Sequence, residues 1–365
     1  MSPHSSKIEN TLDIMSLSSK RKVNLLKPNS LKQGACIGIA TPSMPGNVIL
    51  KSKFLKGISF LEKQGFKIKL GDLTASFLSQ GYRSGSISDR AKEFNDLYKD
   101  TKVSAIIFSI GGSNSASILP SIDYDYIRKY PKIISGYSDI TSIHAALNTK
   151  CGLCTFYGPA IIPSFGTYPR PDKFTFENFL IQTGFKGAFK SYSFPTPEKY
   201  TDQFIDATKP LWTSVKRNFK KNKGWQVLRA GNAKGKIFSY NLNALLSLVG
   251  TAYFPSLDGA ILCLEQMNTS MANEEKQLTQ LKQMGIFDGI KALIISKPEN
   301  FSGDSDLSYE DLITEIIPTT TKFPIILNFD CGHTHPMLTI AQGVTCELVA
   351  GKNVQLTQME CGFAV

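Results

Sequence analysis

Histidine is scarce in this sequence, with four in 365 residues, and tryptophan scarcer still, with two. Long apolar runs are missing. The longest, such as Ala105–Phe108 and Ala260–Leu264, have the length of a strand, far short of the roughly 20 residues that cross a bilayer as a helix. No membrane span is expected. Residues 1–27 lack the apolar segment of a secretory signal and carry Ser-Ser-Lys-Arg-Lys at 18–22 instead. Residues 1–28 therefore read as a disordered tail, and a cytoplasmic location follows. Acidic residues are in deficit, 30 against 41 lysines and arginines, for a net charge of +11. No zinc-finger, ribonucleoprotein or helix-turn-helix pattern accompanies that charge, so nucleic-acid binding gains no support. The basic run Lys216–Lys223 reads as a solvated loop or as an attractor for a phosphate.

The seven cysteines are an odd number spread from Cys36 to Cys361, which suits reduced, mostly buried thiols rather than a disulfide framework. Cys151-Gly-Leu-Cys154 has redox or zinc spacing, but it follows a helix and runs into Thr155-Phe156-Tyr157. Gly152 reads as a helix C-cap and the thiols as core. No metal site and no cofactor are expected.

What the chain does have is strands alternating with helices, the pattern of a mostly parallel sheet covered on both faces. Strands are expected at 34–43, 66–70, 103–110 and 154–158, with another beginning at Ile133-Ile134, and helices at 48–64 and 88–98, the latter starting at Ser88. Pro163 to Gly224 mixes prolines, aromatics and charges and reads as an irregular connector with one helix near 175–183, its Trp212 and Trp225 anchored to the core. A second unit begins near Ala230, with strands at 235–240, 258–266, 292–296 and 324–330, helices at 241–248, 274–284 and 309–316, and a hairpin at 344–358 turning at Gly351. The fold class is α/β: an N-terminal Rossmann-like parallel-sheet domain (29–165), a connector (166–229) and a smaller, β-rich α/β C-terminal domain (230–365).

One stretch stands out, Lys132 to Leu147. It opens as a strand at Ile133 and Ile134 and becomes helical at Ile140, Ile143, Ala146 and Leu147, with Gly136-Tyr137-Ser138-Asp139 at the corner. Such a corner sits at the carboxyl end of a sheet and leaves backbone N–H groups free at the helix start. Ser138 is there a candidate nucleophile, or Ser138 or Asp139 merely caps the helix. Gly111-Gly112, after the strand 103–110, should share that rim, where glycines let a backbone approach a ligand.

A serine nucleophile needs a base, and the base an orienting group. His4 lies in the tail. His144 follows Ser138 by six residues on one helix, about 240° around it, and cannot reach back. His333 and His335 remain, just after a strand. Glu265 ends an otherwise apolar strand, and a carboxylate there needs a partner. It is a candidate to orient a histidine, although an exposed strand end and a plain turn histidine remain open.

In order and spacing, Ser109-Ile-Gly-Gly112, Gly136-Tyr-Ser-Asp-Ile-Thr141 and Asp330-Cys-Gly-His-Thr-His-Pro-Met337 resemble the LD-carboxypeptidase family of serine peptidases, and more closely its branch of microcin C self-immunity peptidases. Gly81-Tyr82, Leu119–Asp125, Thr155–Pro159 and Leu257–Glu265 extend the resemblance over about 31–360. It implies a Ser-Glu-His triad falling on Ser138, Glu265 and His333, and oxyanion donors falling on the backbone N–H groups of Gly112 and Asp139. Helix capping would then pass to Asp139 or Thr141. Gly111, Ser113 and Asn241 fall in the substrate region, and Tyr200 stands where the branch has a tryptophan that stacks on a base. The sequence departs from the family at Ser239-Tyr240 (for Gly-Gly), at Gln266 (for Asp) and at Ser115-Ala116 (for Ser-Asn), departures expected to bear on the substrate cleft. The expected function is amide hydrolysis through an acyl-enzyme, on a microcin C-like peptidyl or aminoacyl nucleotide. The alternatives are a murein tetrapeptide LD-carboxypeptidase and a non-catalytic ligand-binding homologue. The expected partner is a small peptide or peptidyl-nucleotide substrate, with no membrane and no nucleic acid. The reading leaves room for a homodimer.

Overall fold

The computed structural model describes residues 24–209, 212–304, 306–317 and 320–365. The strands are, in chain order, β1 (Cys36–Ala40), β2 (Lys67–Leu70), β3 (Val103–Phe108), β4 (Ile133–Gly136), β5 (Phe156–Tyr157), β6 (Tyr192–Ser193), β7 (Lys199–Tyr200) and β8 (Lys220–Lys221). They continue as β9 (Gln226–Arg229), β10 (Gly231–Asn241), β11 (Ala260–Glu265), β12 (Ala292–Ser296), β13 (Ile325–Phe329), β14 (Ile340–Ala341), β15 (Thr345–Ala350) and β16 (Val354–Gln358).

The first sheet has the order β14-β5-β4-β3-β1-β2. Its strands β2, β1, β3, β4 and β5 run parallel, and only β14 is antiparallel. Helices cover both faces, so the inner strands must be apolar on both sides. Ile106, Ile107 and Phe108 of β3 and Ile133 and Ile134 of β4 are accordingly fully buried. The second sheet, β6-β16-β15-β10-β11-β12-β13-β9, has a parallel centre of β10, β11, β12 and β13 with antiparallel strands on either side. β14 belongs by sequence to the second half of the chain yet pairs with β5 in the first sheet, which ties the two halves together.

Local chemistry sets the ends of the elements. The helix Ile87–Lys99 starts one residue earlier than expected, because Ser86 and not Ser88 accepts the Asp89 N–H, at 3.1 Å. The single helix expected over 48–64 is two, Gly46–Ile49 and Lys51–Lys63, parted at Leu50. Gly152 does end the helix Thr141–Cys151, at φ 65°, where glycine avoids the Cβ clash. The expected tail needs a correction: residues 1–23 lie outside the described residues, but Leu26 bridges Leu153, and its N–H reaches the Gly152 carbonyl at 2.8 Å. Trp225 is held to the core as expected, its ring 4.8 Å from that of Phe329 and its Nε1 donating to Asp330. All seven cysteines are free. Among the described residues no helix is long and apolar enough to cross a membrane.

Both parallel sets point the carboxyl ends of their strands at a common space. In open parallel sheets, ligands bind outside those ends, where the strand order reverses, here between β1 and β3. The segments that follow β1, β3 and β4 carry Ser43, Gly111-Gly112 and Ser138. Those at the ends of β10, β11, β12 and β13 carry Asn241, Glu265, Glu299 and His333. Hydrogen bonds cross between the sets, from the Asn241 N–H to Thr141 Oγ1 (2.9 Å) and from Tyr157 to Glu265 (2.5 Å).

Candidate active site

Ser138 sits at the turn from β4 into a short 3₁₀ segment, Ser138–Ile140, with φ of +64°. A left-handed backbone disfavours any residue with a Cβ, by about 1–2 kcal/mol, and so is kept only where the surroundings enforce it. Gly136 is part of that enforcement: a Cβ there would lie 3.0 Å from Ile140 Cγ2, so its absence lets the turn fold back on itself. The turn lifts the Ser138 side chain to the wall of a cavity of about 370 Å³, also lined by Gly111, Gly112, Tyr137, Glu299, His333 and His335.

Gly111 packs directly on the serine. A Cβ at Gly111 would be 3.0 Å from Ser138 Cβ and 3.2 Å from both Ser138 Oγ and the Asp139 nitrogen. The following loop is shaped by Asp139. Its Oδ2 accepts from Ser43 Oγ (2.6 Å), Asn114 N–H (3.0 Å) and Ser115 N–H (2.9 Å). Asp139 thus does not cap the helix Thr141–Cys151, which has no side-chain cap. Its carboxylate is turned the other way, onto the glycine loop. The Gly112 and Asp139 backbones are brought to one rim beside Ser138, where a second cavity also takes in Ser113, Asn241 and Gln266.

Opposite, His333 Nδ1 lies 2.6 Å from Glu265 Oε2. The loop Asp330–Leu338 that carries the histidine is closed by Leu338 N–H to Asp330 O (2.7 Å). It is pinned by the buried ion pair of Lys297 Nζ with Asp330 Oδ1 at 2.6 Å. Gly332 runs past the acid so closely that a Cβ would meet Glu265 Oε2 at 2.4 Å, at a φ of 95° that glycine tolerates. The His333 ring, only 6% exposed, packs edge-on to Tyr137 at 4.8 Å. Burial alone would push this imidazole down, but the Glu265 charge and hydrogen bond, helped by Glu299, hold it above its ordinary value. Glu265 shows the converse: burial pushes it up, and the His333 charge and donors from His333, Tyr157 and Asn241 bring it below the ordinary range. Both shifts favour the charged pair.

Sequence reasoning did not single out Tyr157. It is wholly buried, donates to Glu265 Oε1 at 2.5 Å and accepts the Ser138 N–H at 3.1 Å. One hydroxyl therefore links the backbone of the serine to the carboxylate that holds the histidine. The Ser138 N–H is thereby occupied, which leaves the next one, of Asp139, to face the cavity rim. The sequence signal was present in Thr155–Pro159, but only the pairing of β4 with β5 brings Tyr157 under Ser138.

The other candidates divide. His144 is buried between Thr155 Oγ1 (2.8 Å) and the Gly136 carbonyl (2.9 Å), and burial lowers it to about 4. His335 lines the cavity, while its backbone pairs with Thr201. Asn241 caps the helix Leu242–Leu246 and reaches the Glu265 carbonyl at 3.4 Å. Tyr200 is not among the cavity-lining residues: its ring lies over Lys297 Nζ at 5.1 Å, because β7 is drawn to that side by pairing with β8. Phe204 lines the cavity instead. Ser115, Ser239 and Tyr240 are fully buried beneath the cleft, a correction to their expected place in it. Ser115 Oγ donates to the Asp139 carbonyl, Ser239 meets Cys331 Sγ at 3.2 Å, and Tyr240 donates to Asn148. Gln266 does line the second cavity, its amide donating to Glu274 and Gln277. Among the described residues no three His, Cys, Asp or Glu side chains are grouped to hold a metal ion.

Residues 37–158 match the LD-carboxypeptidase N-terminal domain, and residues 234–348 the LD-carboxypeptidase C-terminal domain. The chain is 38% identical over 333 residues to the microcin C7 self-immunity protein MccF of Escherichia coli, covering 90% of this chain and 94% of that protein. It is 26% identical over 323 residues to the probable murein peptide carboxypeptidase of Bacillus subtilis, covering 87% and 89%. The solved structure of MccF in complex with aspartyl sulfamoyl adenosine superposes with a TM-score of 0.87 at 35% identity, covering 93% of this chain and all of that one. The chain belongs to the LD-carboxypeptidase family and is a serine-type peptidase with the MccF-like fold.

Proposed function

We propose that this member of the LD-carboxypeptidase family hydrolyses an amide of a peptidyl or aminoacyl nucleotide, with Ser138 as nucleophile, His333 as base and Glu265 as the group that orients it. The observation that carries the reading is the 2.6 Å contact of His333 Nδ1 with buried Glu265, on a cavity that Ser138 enters from a left-handed turn. With Nδ1–H given to Glu265, Nε2 is the nitrogen left to take the Ser138 proton. Ser138 Oγ attacks the amide carbonyl, and the developing oxyanion is received by the Gly112 and Asp139 N–H groups. Preorganised donors of this kind are each worth about 3 kcal/mol. The leaving amine takes the proton back from Nε2. Water, deprotonated by the same nitrogen, then releases the acyl group and regenerates Ser138.

The nucleotide half of the substrate is supported by similarity to MccF, whose solved complexes hold aspartyl sulfamoyl adenosine and adenosine monophosphate. The murein peptide is the second reading, supported by the more distant Bacillus subtilis relative. Gly111, Ser113 and Asn241 are assigned to substrate contact on their place around the two cavities. The division into residues 29–165, 166–229 and 230–365 is supported by the two family matches, which fall within the outer segments. The cytoplasm is the compartment this reading takes, in keeping with seven free cysteines. A homodimer is the assembly to be tested by light scattering.

The deciding experiment compares hydrolysis of an aspartyl-adenylate amide analogue and of a murein tetrapeptide by wild type and Ser138→Ala. Turnover of the nucleotide conjugate, abolished by the substitution, is expected. Turnover of the tetrapeptide alone would replace the substrate with the murein peptide. Equal inertness of both proteins on a broad amide panel, with ligand binding retained, would overturn the enzymatic assignment of this site.

A further inference from the structure

The cavity at Ser138 carries more charge than acyl transfer uses. Besides Tyr137, which burial keeps neutral, its titratable lining groups are Lys53, Asp206, Arg217, Glu299, His333 and His335. His333 is held by Glu265. Asp206 faces the exposed mouth, where it accepts from Thr208 N–H (3.0 Å) and Thr208 Oγ1 (2.6 Å). What remains inside is two basic side chains, one carboxyl group and a buried imidazole.

Lys53 reaches in from the helix Lys51–Lys63 and is only 8% exposed. Its ammonium lies 5.4 Å from the Trp212 ring centroid. Arg217 comes from the connector, from within the basic run noted in the sequence. It also lines the neighbouring groove of about 960 Å³, so it stands with His335 at the junction of the two spaces. Neither cation is salt-bridged to a carboxylate among the described residues, unlike Lys297, which is fully paired with Asp330. An unpaired buried ammonium is expensive, and proteins ordinarily pair it. The groups bear on one another accordingly. Burial, then repulsion by Arg217, lowers Lys53 to about 8 against the pull of Glu299. Burial raises Glu299 to about 7 although His333, Arg217 and Lys53 all favour its ionised form. Glu299, itself reluctant to ionise, is the one carboxyl group that acts on both cations, while Asp172, outside the cavity, draws on Arg217 alone. Among the described residues neither cation has a carboxylate in contact to neutralise it.

We propose that Lys53 and Arg217 form a subsite for an anionic group, a carboxylate or a phosphate, on the substrate whose amide Ser138 attacks. This rests on the reading of Ser138 as nucleophile and adds the charge that the substrate must carry. Glu299 keeps the empty subsite from holding two bare cations. The entering anion completes the balance, and by raising Lys53 it takes up a proton from solvent near pH 8. Lys53 and Arg217 are specificity residues: they govern which amide is held, while Ser138, His333 and Glu265 govern its cleavage.

The test is binding, measured by calorimetry on the full chain carrying Ser138→Ala, so that it does not depend on turnover. The probes are adenosine monophosphate against adenosine for a phosphate, and L-alanyl-D-alanine against its C-terminal amide for a carboxylate. In at least one pair the charged member is expected to bind on the order of tenfold tighter, with an observed enthalpy that varies linearly with the buffer's ionisation enthalpy, the slope giving the proton uptake. Adding Lys53→Met or Arg217→Met should collapse that gap while leaving the neutral member's affinity in place, and Lys53→Arg should restore it. Melting temperatures keep a misfolded variant from counting as a result. Equal binding of charged and neutral members in both pairs would overturn the subsite. So would a gap that persists in Lys53→Met and Arg217→Met together. Failure of hydrolysis by the wild type would instead count against Ser138 as nucleophile and leave these binding results standing.

Discussion

Tyr157→Phe removes one oxygen atom and tests the hydrogen-bond chain at the centre of the site. The hydroxyl donates to Glu265 Oε1 at 2.5 Å and accepts the Ser138 N–H at 3.1 Å. A hydrogen bond to a charged group contributes about 1.5–3 kcal/mol. The hydroxyl fixes the orientation of the carboxylate and the backbone of Ser138 at once, and if most of the bond's worth is spent on that positioning, kcat falls roughly ten- to hundredfold. The pH profile should move as well. Without the hydroxyl, the Glu265 carboxylate loses a donor and holds the proton on His333 more tightly. His333 must be neutral to accept the Ser138 proton, so the acid limb of kcat/KM should shift to higher pH. The phenylalanine ring fits the same buried space, and KM should change little because Tyr157 does not line the cavity. The assay is steady-state hydrolysis of the preferred amide across pH, with Glu265→Gln and the double variant closing the cycle. Coupling predicts that the double variant loses much less than the sum of the two single losses. A Tyr157→Phe enzyme with wild-type kcat and an unmoved acid limb would refute the chain as a working unit.

Three further outcomes are expected. Ser138→Gly should abolish hydrolysis yet raise unfolding stability by roughly 1 kcal/mol in urea titration, since glycine relieves the φ of +64°; a loss of stability would count against strain at this turn. Asp139→Ala strips the acceptor from Ser43 Oγ and from the Asn114 and Ser115 N–H groups, and should lower stability by roughly 3 kcal/mol, given about 1–3 kcal/mol for each buried group left unpaired. Unaltered denaturation would show that the glycine loop does not need it. In the wild type, kcat/KM should rise with pH through an apparent value above the ordinary imidazole pKa of about 6.5, because Glu265 and Glu299 hold the His333 proton against burial. Glu265→Gln should move that limb downward, as burial then acts with less opposition, and an unchanged limb would mean that another group is being titrated.

Much of this protein was legible before any coordinates. Alternation of short apolar strands with helices fixed the parallel sheets, because period and burial are local properties of a chain. The glycines at 111 and 112, the corner at Ser138 and the acid ending the strand at Glu265 were visible as breaks in otherwise regular patterns, which is where function tends to sit. Scarcity helped: four histidines made the search for a base short. Elimination among the histidines left His333 and His335 as equals, two residues apart in one loop, and only the family resemblance put the base on His333. The packing of the two sheets gives the physical reason for a difference, by setting Glu265 2.6 Å from one ring and turning the backbone of the other to Thr201. The same holds for Tyr157, for Asp139 turned from helix cap to loop anchor, and for Lys53 and Arg217, which lie far apart in the chain and meet in one cavity. A local pattern can say that a residue stands at the end of a strand. Which residues face one another across two strand ends depends on the register and twist of both sheets, and that is a property of the folded chain.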